Sequence, residues 1–330
     1  MPLVSNQRQV IMKATNKVEF EQIVIRGCGL DVHKETVVAT VAGEGIKEET
    51  RTYETFTSSL KDLKRWLRYK KVTHVAMEST GVYWKPVFNI LGEHFEILLV
   101  NARHIKNVPG RKTDKKDSQW ICKLLMSGLL KGSFVPPEQI RELRDLSRYK
   151  TKLTQQAAAE KNRIQRILED ANIKLSSVLS DTTGVVATKL IDGIIEGRKD
   201  LDRLIAENYH GKLRASKELL KKALEGRVTE HHKFMLRQIK TTLSYLEGQI
   251  DLLEKEMDKK LEDHNEQLEL LQTIPGVGKD GAKSIIAEIG TDMTVFPDEK
   301  HLASWAGMSP GSNESAGKKK VPGQGKGTNT

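Results

Sequence analysis

Ile23-Val24-Ile25-Arg26-Gly27-Cys28-Gly29-Leu30-Asp31-Val32 is an apolar, β-branched run that closes on a carboxylate. Short runs of this kind read as buried strands. A second run, 36–42, ends at Gly43 after a tight turn, and a third strand is expected near 50–56. Leu60 to Tyr69 reads as a basic helix with Leu60, Leu63 and Leu67 on one face. Val72-Thr73-His74-Val75-Ala76-Met77-Glu78 is another strand that closes on a carboxylate. A helix from about Trp84 to Gly92, a strand Glu96-Ile97-Leu98-Leu99-Val100 and a helix from Asp114 to Leu130 follow, the last stopped near Gly132. Strands first, then helix and strand in alternation, give an α/β domain with a mixed sheet.

Asp31 and Glu78 therefore sit at strand ends, where a carboxylate costs stability unless it is paired or holds a metal. Arg111-Lys112-Thr113-Asp114-Lys115-Lys116-Asp117 adds two more acids. Three residues apart on a helix, Asp114 and Asp117 share one face. Four carboxylates amid cations suit a two-metal phosphodiester site, because Mg²⁺ takes oxygen ligands from a few carboxylates and from phosphate. The plainer alternative is that Asp114 and Asp117 pair with neighbouring Lys and Arg, and that Asp31 is a turn residue. His33 is close enough in sequence to touch metal or phosphate, though a lone His is more often structural.

The chain has 330 residues, 38% hydrophobic and 30% charged, with a net charge of +10. Residues 1–150 hold 26 Lys and Arg against 17 Asp and Glu, whereas residues 151–270 hold 21 of each. The excess thus lies on the segment that carries the acids. That favours nucleic acid over a membrane surface, which calls for a basic amphipathic helix or a lipid anchor. Arg103, Lys106, Arg111, Lys112, Lys115 and Lys116 are the candidate phosphate contacts. No stretch approaches a membrane span, and the N-terminus lacks a signal-peptide pattern. Cys28 and Cys122 form neither a CxxC motif nor a disulfide framework, which points to a reducing cytoplasm and no structural zinc.

Pro136-Pro137 marks a boundary. A long helix over about 138–172 carries Leu143, Leu146, Leu153, Ile164 and Ile167, and shorter helices are expected over 185–225. Leu236, Ile239, Leu243, Leu246, Ile250, Leu253 and Met257 alternate spacings of three and four, the pattern of a coiled-coil seam. Its partner is either the 138–172 helix or another subunit. His231-His232 has no supporting ligands and reads as surface. Trp84, Trp120 and Trp305 read as core anchors.

Ile274-Pro275-Gly276-Val277-Gly278 between two helices has the form of a helix-hairpin-helix turn. Gly276, Gly278 and Lys279 would present backbone N–H groups and charge to a DNA phosphate at a helix N-terminus. The alternative is an ordinary helical corner. From Gly307 the chain is rich in Gly, Ser and Lys, and by composition Ser309 to Lys318, Lys319 and Lys320 form a flexible basic tail. The domain boundaries expected are a leader 1–20, an α/β domain 21–135, a helical domain 138–265 and a C-terminal domain 268–330.

In this order, several motifs together resemble the DEDD transposases of bacterial insertion sequences of the IS-one-ten type, which include the pilin gene-inverting recombinases. They are Gly29-Leu30-Asp31-Val32-His33-Lys34, Glu78-Ser79-Thr80-Gly81-Val82-Tyr83-Trp84, Asn101-Ala102-Arg103 and Lys112-Thr113-Asp114-Lys115-Lys116-Asp117. The Ile-Pro-Gly-Val-Gly turn and Gly307-Met308-Ser309-Pro310 with Ser315-Ala316-Gly317-Lys318 complete the set. The resemblance implies a RuvC-like domain of the RNase H fold, a coiled-coil middle and a C-terminal transposase domain. It maps the four metal-binding acids onto Asp31, Glu78, Asp114 and Asp117, with Mg²⁺, two ions, as cofactor. It places a nucleophilic serine on Ser315, which would form a covalent protein–DNA link. It implies donor and target DNA, a structured guide (bridge) RNA, and a dimer or tetramer joined through the coiled coil, acting in the bacterial cytoplasm on the nucleoid. The chain stops at Gly327-Thr328-Asn329-Thr330, inside a motif that in the family leads into further helices, so a truncated C-terminal domain is expected.

Three rivals follow from the same residues. One is a RuvC-like nuclease or junction resolvase in which activated water cuts and no covalent link forms. Another is a nucleic-acid-binding form with an inactive site. The third is a sugar-kinase or actin-like ATPase, because Gly29-Leu30-Asp31 also resembles that fold's first phosphate loop, though a second Gly-rich phosphate loop is lacking.

Overall fold

A computed structural model describes residues 24–79, 81–101, 117–130, 132–210 and 213–308, with the backbone of 314–315 and 318–319. The chain divides into two compact units, Met1–Val135 with Asp298–Thr330, and Pro136–Pro297.

The first unit is built on a five-stranded sheet. Its strands are β1 (Arg26–Val32), β2 (Thr36–Gly43), β3 (Ile46–Glu54), β4 (His74–Glu78) and β5 (Glu96–Val100), in the order β3-β2-β1-β4-β5. The first three are antiparallel neighbours, and β4 and β5 run parallel to β1. The expected mixed sheet is present. The outer strand β3 carries Lys47, Glu48, Glu49 and Arg51 and is largely exposed, so its open edge is charged rather than sticky. One face of the sheet is covered by α1 (Thr57–Tyr69) and α2 (Trp84–Leu91), which bury Leu60, Leu63, Trp66, Leu67, Val87 and Leu91 against Leu30, Val37, Val75 and Met77. The other face is covered by α3 (Asp117–Met126), whose Ile121, Cys122, Leu124 and Leu125 pack on Ala76 and Val100. Trp84 and Trp120 pack at the edges of these two cores.

The second unit is a helical hairpin with short helices at each end. Its long arms are α4 (Glu138–Asp170) and α9 (Glu230–Lys260). Ion pairs link Glu142 to Lys260, Lys150 to Glu254 and Lys161 to Glu247. Rising numbers on one arm meet falling numbers on the other, so the arms are antiparallel. Leu236, Ile239, Leu243 and Leu246 of the seam are buried with Leu153, Ala157, Ile164 and Leu168 of α4. The partner of the heptad stripe is thus α4 of the same chain.

At the turn end, α5 (Leu175–Val178), α6 (Val185–Glu196), α7 (Leu201–Asn208) and α8 (Lys217–Leu224) extend this core through Ile173, Leu190, Ile191, Leu204 and Leu220. At the open end, α10 (Asn265–Gln272) and α11 (Lys279–Ile289) pack Leu268, Ala282, Ile286 and Ala287 on Ile140, Leu143, Met257 and Leu261. No helix among the described residues is long and apolar enough to cross a membrane.

His232 corrects the expectation that the His pair lies on the surface, for it is only 7% exposed. Its Nδ1 accepts from the Thr229 backbone N–H at 3.1 Å, so the proton sits on Nε2, which donates to Asp170 at 2.9 Å. The same Thr229 caps α9, and the His therefore ties the start of one arm to the end of the other.

Back in the first unit, α12 (Glu299–Trp305) precedes β6 (Glu314–Ser315) and β7 (Lys318–Lys319). These two short strands pair antiparallel, with Ser315 opposite Lys318. Composition suggested a flexible tail here. Backbone pairing of two-residue strands leaves no trace in hydropathy.

Candidate active site

The parallel pairing of β1 with β4 sets Leu30 beside Met77. One step further along both strands brings Asp31 beside Glu78. Because alternate residues face opposite ways, the register also fixes the side. Leu30 and Met77 point into the core under α1 and α2. Asp31 and Glu78 consequently share the opposite face, the one covered by α3. Both acids are half-buried. His33 Nε2 lies 3.0 Å from Asp31 Oδ2, an exposed contact that orients this carboxylate.

Two glycines in β1 let α3 approach. A methyl group on Gly29 would meet the Ser118 carbonyl oxygen at 2.2 Å and the Cys122 nitrogen at 2.3 Å. One on Gly27 would meet Met126 Sδ at 2.9 Å and the Leu125 side chain at 3.0 Å. Contact thus passes from Ser118 to Met126 as the strand passes from Gly29 back to Gly27. The helix runs opposite to β1, and its Asp117 end points along the strand toward Asp31. The sequence holds the signal for this, since a glycine inside a strand marks close backbone approach.

Two hydroxyls lock that end. Thr40, opposite Gly29 in β2, lies 2.8 Å from Ser118 Oγ, and the Thr40 oxygen is also 2.8 Å from Thr50 Oγ1. Thr40 is 0% and Ser118 3% exposed. Neither residue stands out in the sequence as a functional candidate.

The structure therefore gathers Asp31, Glu78 and Asp117 on one side of the sheet. Asp114 lies outside the described residues, as do Arg103, Lys106, Arg111, Lys112, Lys115, Lys116 and Lys320. Among the described residues no three His, Cys, Asp or Glu side chains form a metal-ligand cluster. The donor chemistry nevertheless fits a hard divalent cation: carboxylate oxygens, with the nearby thiols of Cys28 and Cys122 buried and protonated. Burial pushes Cys122 up to about 11 and raises Cys28 well above the usual thiol range. Ser315, Lys318 and Lys319 stand on the β6–β7 hairpin, described in backbone only, in the same unit as the acids. Within this unit Trp305 of α12 meets Phe134 edge-on at 6.3 Å.

The helical unit holds the other predicted element. The Ile274 carbonyl accepts from the Val277 N–H at 3.0 Å, closing a turn with Pro275 and Gly276 at its centre. Gly276 has φ +88°, a conformation that favours glycine. Gly278 then starts α11 without a side-chain cap, and Gly276, Gly278 and Lys279 are exposed. Such an uncapped helix start presents free N–H donors. The far end of α11 is tied to α4. Arg144 donates to the carbonyls of Ala287 and Glu288, and Nε and Nη2 of Arg148 donate to the two oxygens of the Glu288 carboxylate, at 2.8 and 3.0 Å.

Comparison with known proteins gives this geometry a context. A family model described as Transposase, of the DEDD type of IS110 elements, matches residues 28–173. A second, described as Transposase IS116/IS110/IS902 family, matches residues 268–328. The chain is 24% identical over 300 residues to the pilin gene-inverting protein of Moraxella bovis, an alignment covering 87% of this chain and 73% of that protein. The first match contains Asp31, Glu78, Asp114 and Asp117, the second contains the Pro-Gly turn and Ser315, and with the two matched in this order the chain belongs to the IS110-type transposases, enzymes that recombine DNA.

Proposed function

We propose that the chain is an RNA-guided DNA transposase that cuts and exchanges strands through a serine nucleophile. In this reading the first unit is a RuvC-like domain of the RNase H fold, in which Asp31, Glu78, Asp114 and Asp117 hold a pair of Mg²⁺ ions. The observation that supports it is the register of β1 on β4, which pairs Leu30 with Met77, so that the next residues, Asp31 and Glu78, fall on the face of the sheet that α3 covers. Bound Mg²⁺ would stabilise charge developing on the phosphate oxygens. Ser315 Oγ attacks the phosphorus, a serine–phosphate bond replaces the bond to a sugar oxygen, and that oxygen leaves with a proton as a hydroxyl. Attack by a sugar hydroxyl of a second strand reverses the step and joins new partners.

The basic residues from Arg103 to Lys116, with Lys318, Lys319 and Lys320, grip DNA and RNA backbones, while pairing to a bridge RNA reads donor and target sequence. The Pro-Gly turn of the helical unit holds a phosphate on the exposed N–H groups after Gly278. Phe234, Tyr245 and Leu252 are exposed along α9 at helical spacing. They support a coiled-coil contact with another copy, in a dimer or tetramer working on the bacterial nucleoid.

The test is a denaturing gel of the protein with its co-purifying RNA, Mg²⁺ and labelled DNA from the element's ends. The wild type is expected to give a protein-linked DNA band. Ser315→Ala and Asp31→Asn are each expected to lose it while RNA stays bound. Mg²⁺-dependent cutting by Ser315→Ala would instead establish a nuclease that uses water.

A further inference from the structure

We propose that Thr40 and Ser118 are positioning residues that set the placement of Asp117 over Asp31. This rests on the reading of Asp31, Glu78 and Asp117 as metal-holding acids. Three hydroxyl groups run as a chain from the edge strand to the helix: Thr50 to Thr40 at 2.8 Å, then Thr40 to Ser118 at 2.8 Å. Thr50 and Gly29 both stand directly opposite Thr40, so the chain follows one cross-strand row. The row lies on the face that α3 covers and ends on the residue next to Asp117.

The two ends of α3 are fixed by different means. Near Gly27 the helix rests on Leu125 and Met126, flexible apolar side chains that tolerate small shifts. Near Gly29 it rests on its own backbone, with no side chain beneath. Apolar contact alone lets a helix slide or turn there by fractions of an ångström. A buried hydrogen bond prevents that, because both distance and angle must be kept. The partner hydroxyls are also desolvated, so separating them leaves a buried polar group unsatisfied. Thr40 comes from β2, a strand that carries none of the acids. It therefore touches neither substrate nor metal in this scheme and acts only through Ser118 on Asp117.

The discriminating variants are Thr40→Val, which keeps the shape and loses the hydroxyl, and Thr40→Ser, which keeps the hydroxyl and loses a methyl. Mn²⁺ alone serves as the probe, its binding to the full chain followed by electron paramagnetic resonance without DNA. Thr40→Val is expected to weaken Mn²⁺ binding about tenfold, within the range seen when groups supporting metal ligands are removed. Thr40→Ser is expected to stay within about twofold of wild type, since its hydroxyl still makes the bond. Equal loss in both Thr40 variants, or no loss in Thr40→Val, would overturn the proposal. Ser118→Ala removes the bond from the helix side and must reproduce the loss, which covers the case of a poorly folded Thr40→Val. Asp117→Asn separates the two claims. If it leaves Mn²⁺ binding unchanged, the metal-site reading fails. If it weakens binding and Thr40→Val does not, only the positioning role fails.

Discussion

The two faces of the central sheet are built on opposite principles. Under α1 and α2, the sheet presents Leu30, Val37, Val75 and Met77, and large apolar side chains interlock across the layers. Under α3, it presents Gly27, Gly29, Ala76 and Thr40, and the helix lies close enough to touch the strand backbone. The first arrangement gains stability from buried area and adapts by repacking. The second gives up area for a fixed distance. A site whose acids come from a strand and a helix needs that fixed distance, and the acids stand on the second face.

Neighbouring residues on the two faces test this contrast. Leu30→Ala empties part of the apolar face and is expected to cost about 3–4 kcal/mol. Urea unfolding would measure it, and Mn²⁺ binding should survive in whatever fraction stays folded. Loss of binding in the folded fraction would show that the faces are not separable. Gly29→Ala adds one methyl against the Ser118 and Cys122 backbones and is expected to cost less, about 1–3 kcal/mol. Yet it should abolish both Mn²⁺ binding and DNA joining, because α3 must lift where Asp117 sits. A Gly29→Ala protein that joins DNA normally would break the comparison.

A smaller effect probes the same principle in the helical unit. Lys283 of α11 is only 4% exposed and pairs with Asp258 of α9. The bond from the Lys283 ammonium holds the Asp258 carboxyl below its usual range. Its folded value is lower than its unfolded one, so the pair's contribution is fully present above the unfolded value near pH ~4. It is lost as pH falls through the lowered folded value. Asp258→Asn should remove about 1 kcal/mol at neutral pH, since the carboxylate is half exposed and screened. The variant should also flatten that part of the acid-unfolding curve.

The smallest expected signal is an absence of reaction. With Cys122 raised to about 11 by burial beneath α3 and Cys28 also raised by burial inside the opposite core, neither thiol should take up iodoacetamide at neutral pH in the folded protein. Both should react in urea. Native labelling of Cys122 alone would mean that α3 opens more readily than its close contact implies.

Much of the sheet and of the helical hairpin was legible in the sequence, because each depends on periodicity. Strands that close on Asp31 and Glu78 announce their ends through a carboxylate after an apolar run. The seam from Leu236 to Leu246 shows its spacing directly. What stayed hidden depends on pairs far apart in sequence. Thr40 and Ser118 are 78 residues apart, and each looks like an ordinary small polar residue in its own segment. His232 was hidden for the same reason, since its partner Asp170 is 62 residues away. The hairpin at Ser315 was masked by composition, because Gly, Ser and Lys dominate whether or not the backbone pairs.

The antiparallel arms also set an order of events during synthesis. Helix α4 is complete at Asp170, but α9 does not begin until Glu230. Roughly 60 residues separate them, several seconds of translation at ordinary rates. Through that interval Leu153, Ala157, Ile164 and Leu168 have no long arm to cover them. Helices α5 to α8 are made in the gap and join the same apolar cluster. The nascent chain can therefore shelter the turn end of α4 first and close the hairpin from there toward the Pro-Gly turn as α9 emerges from the ribosome.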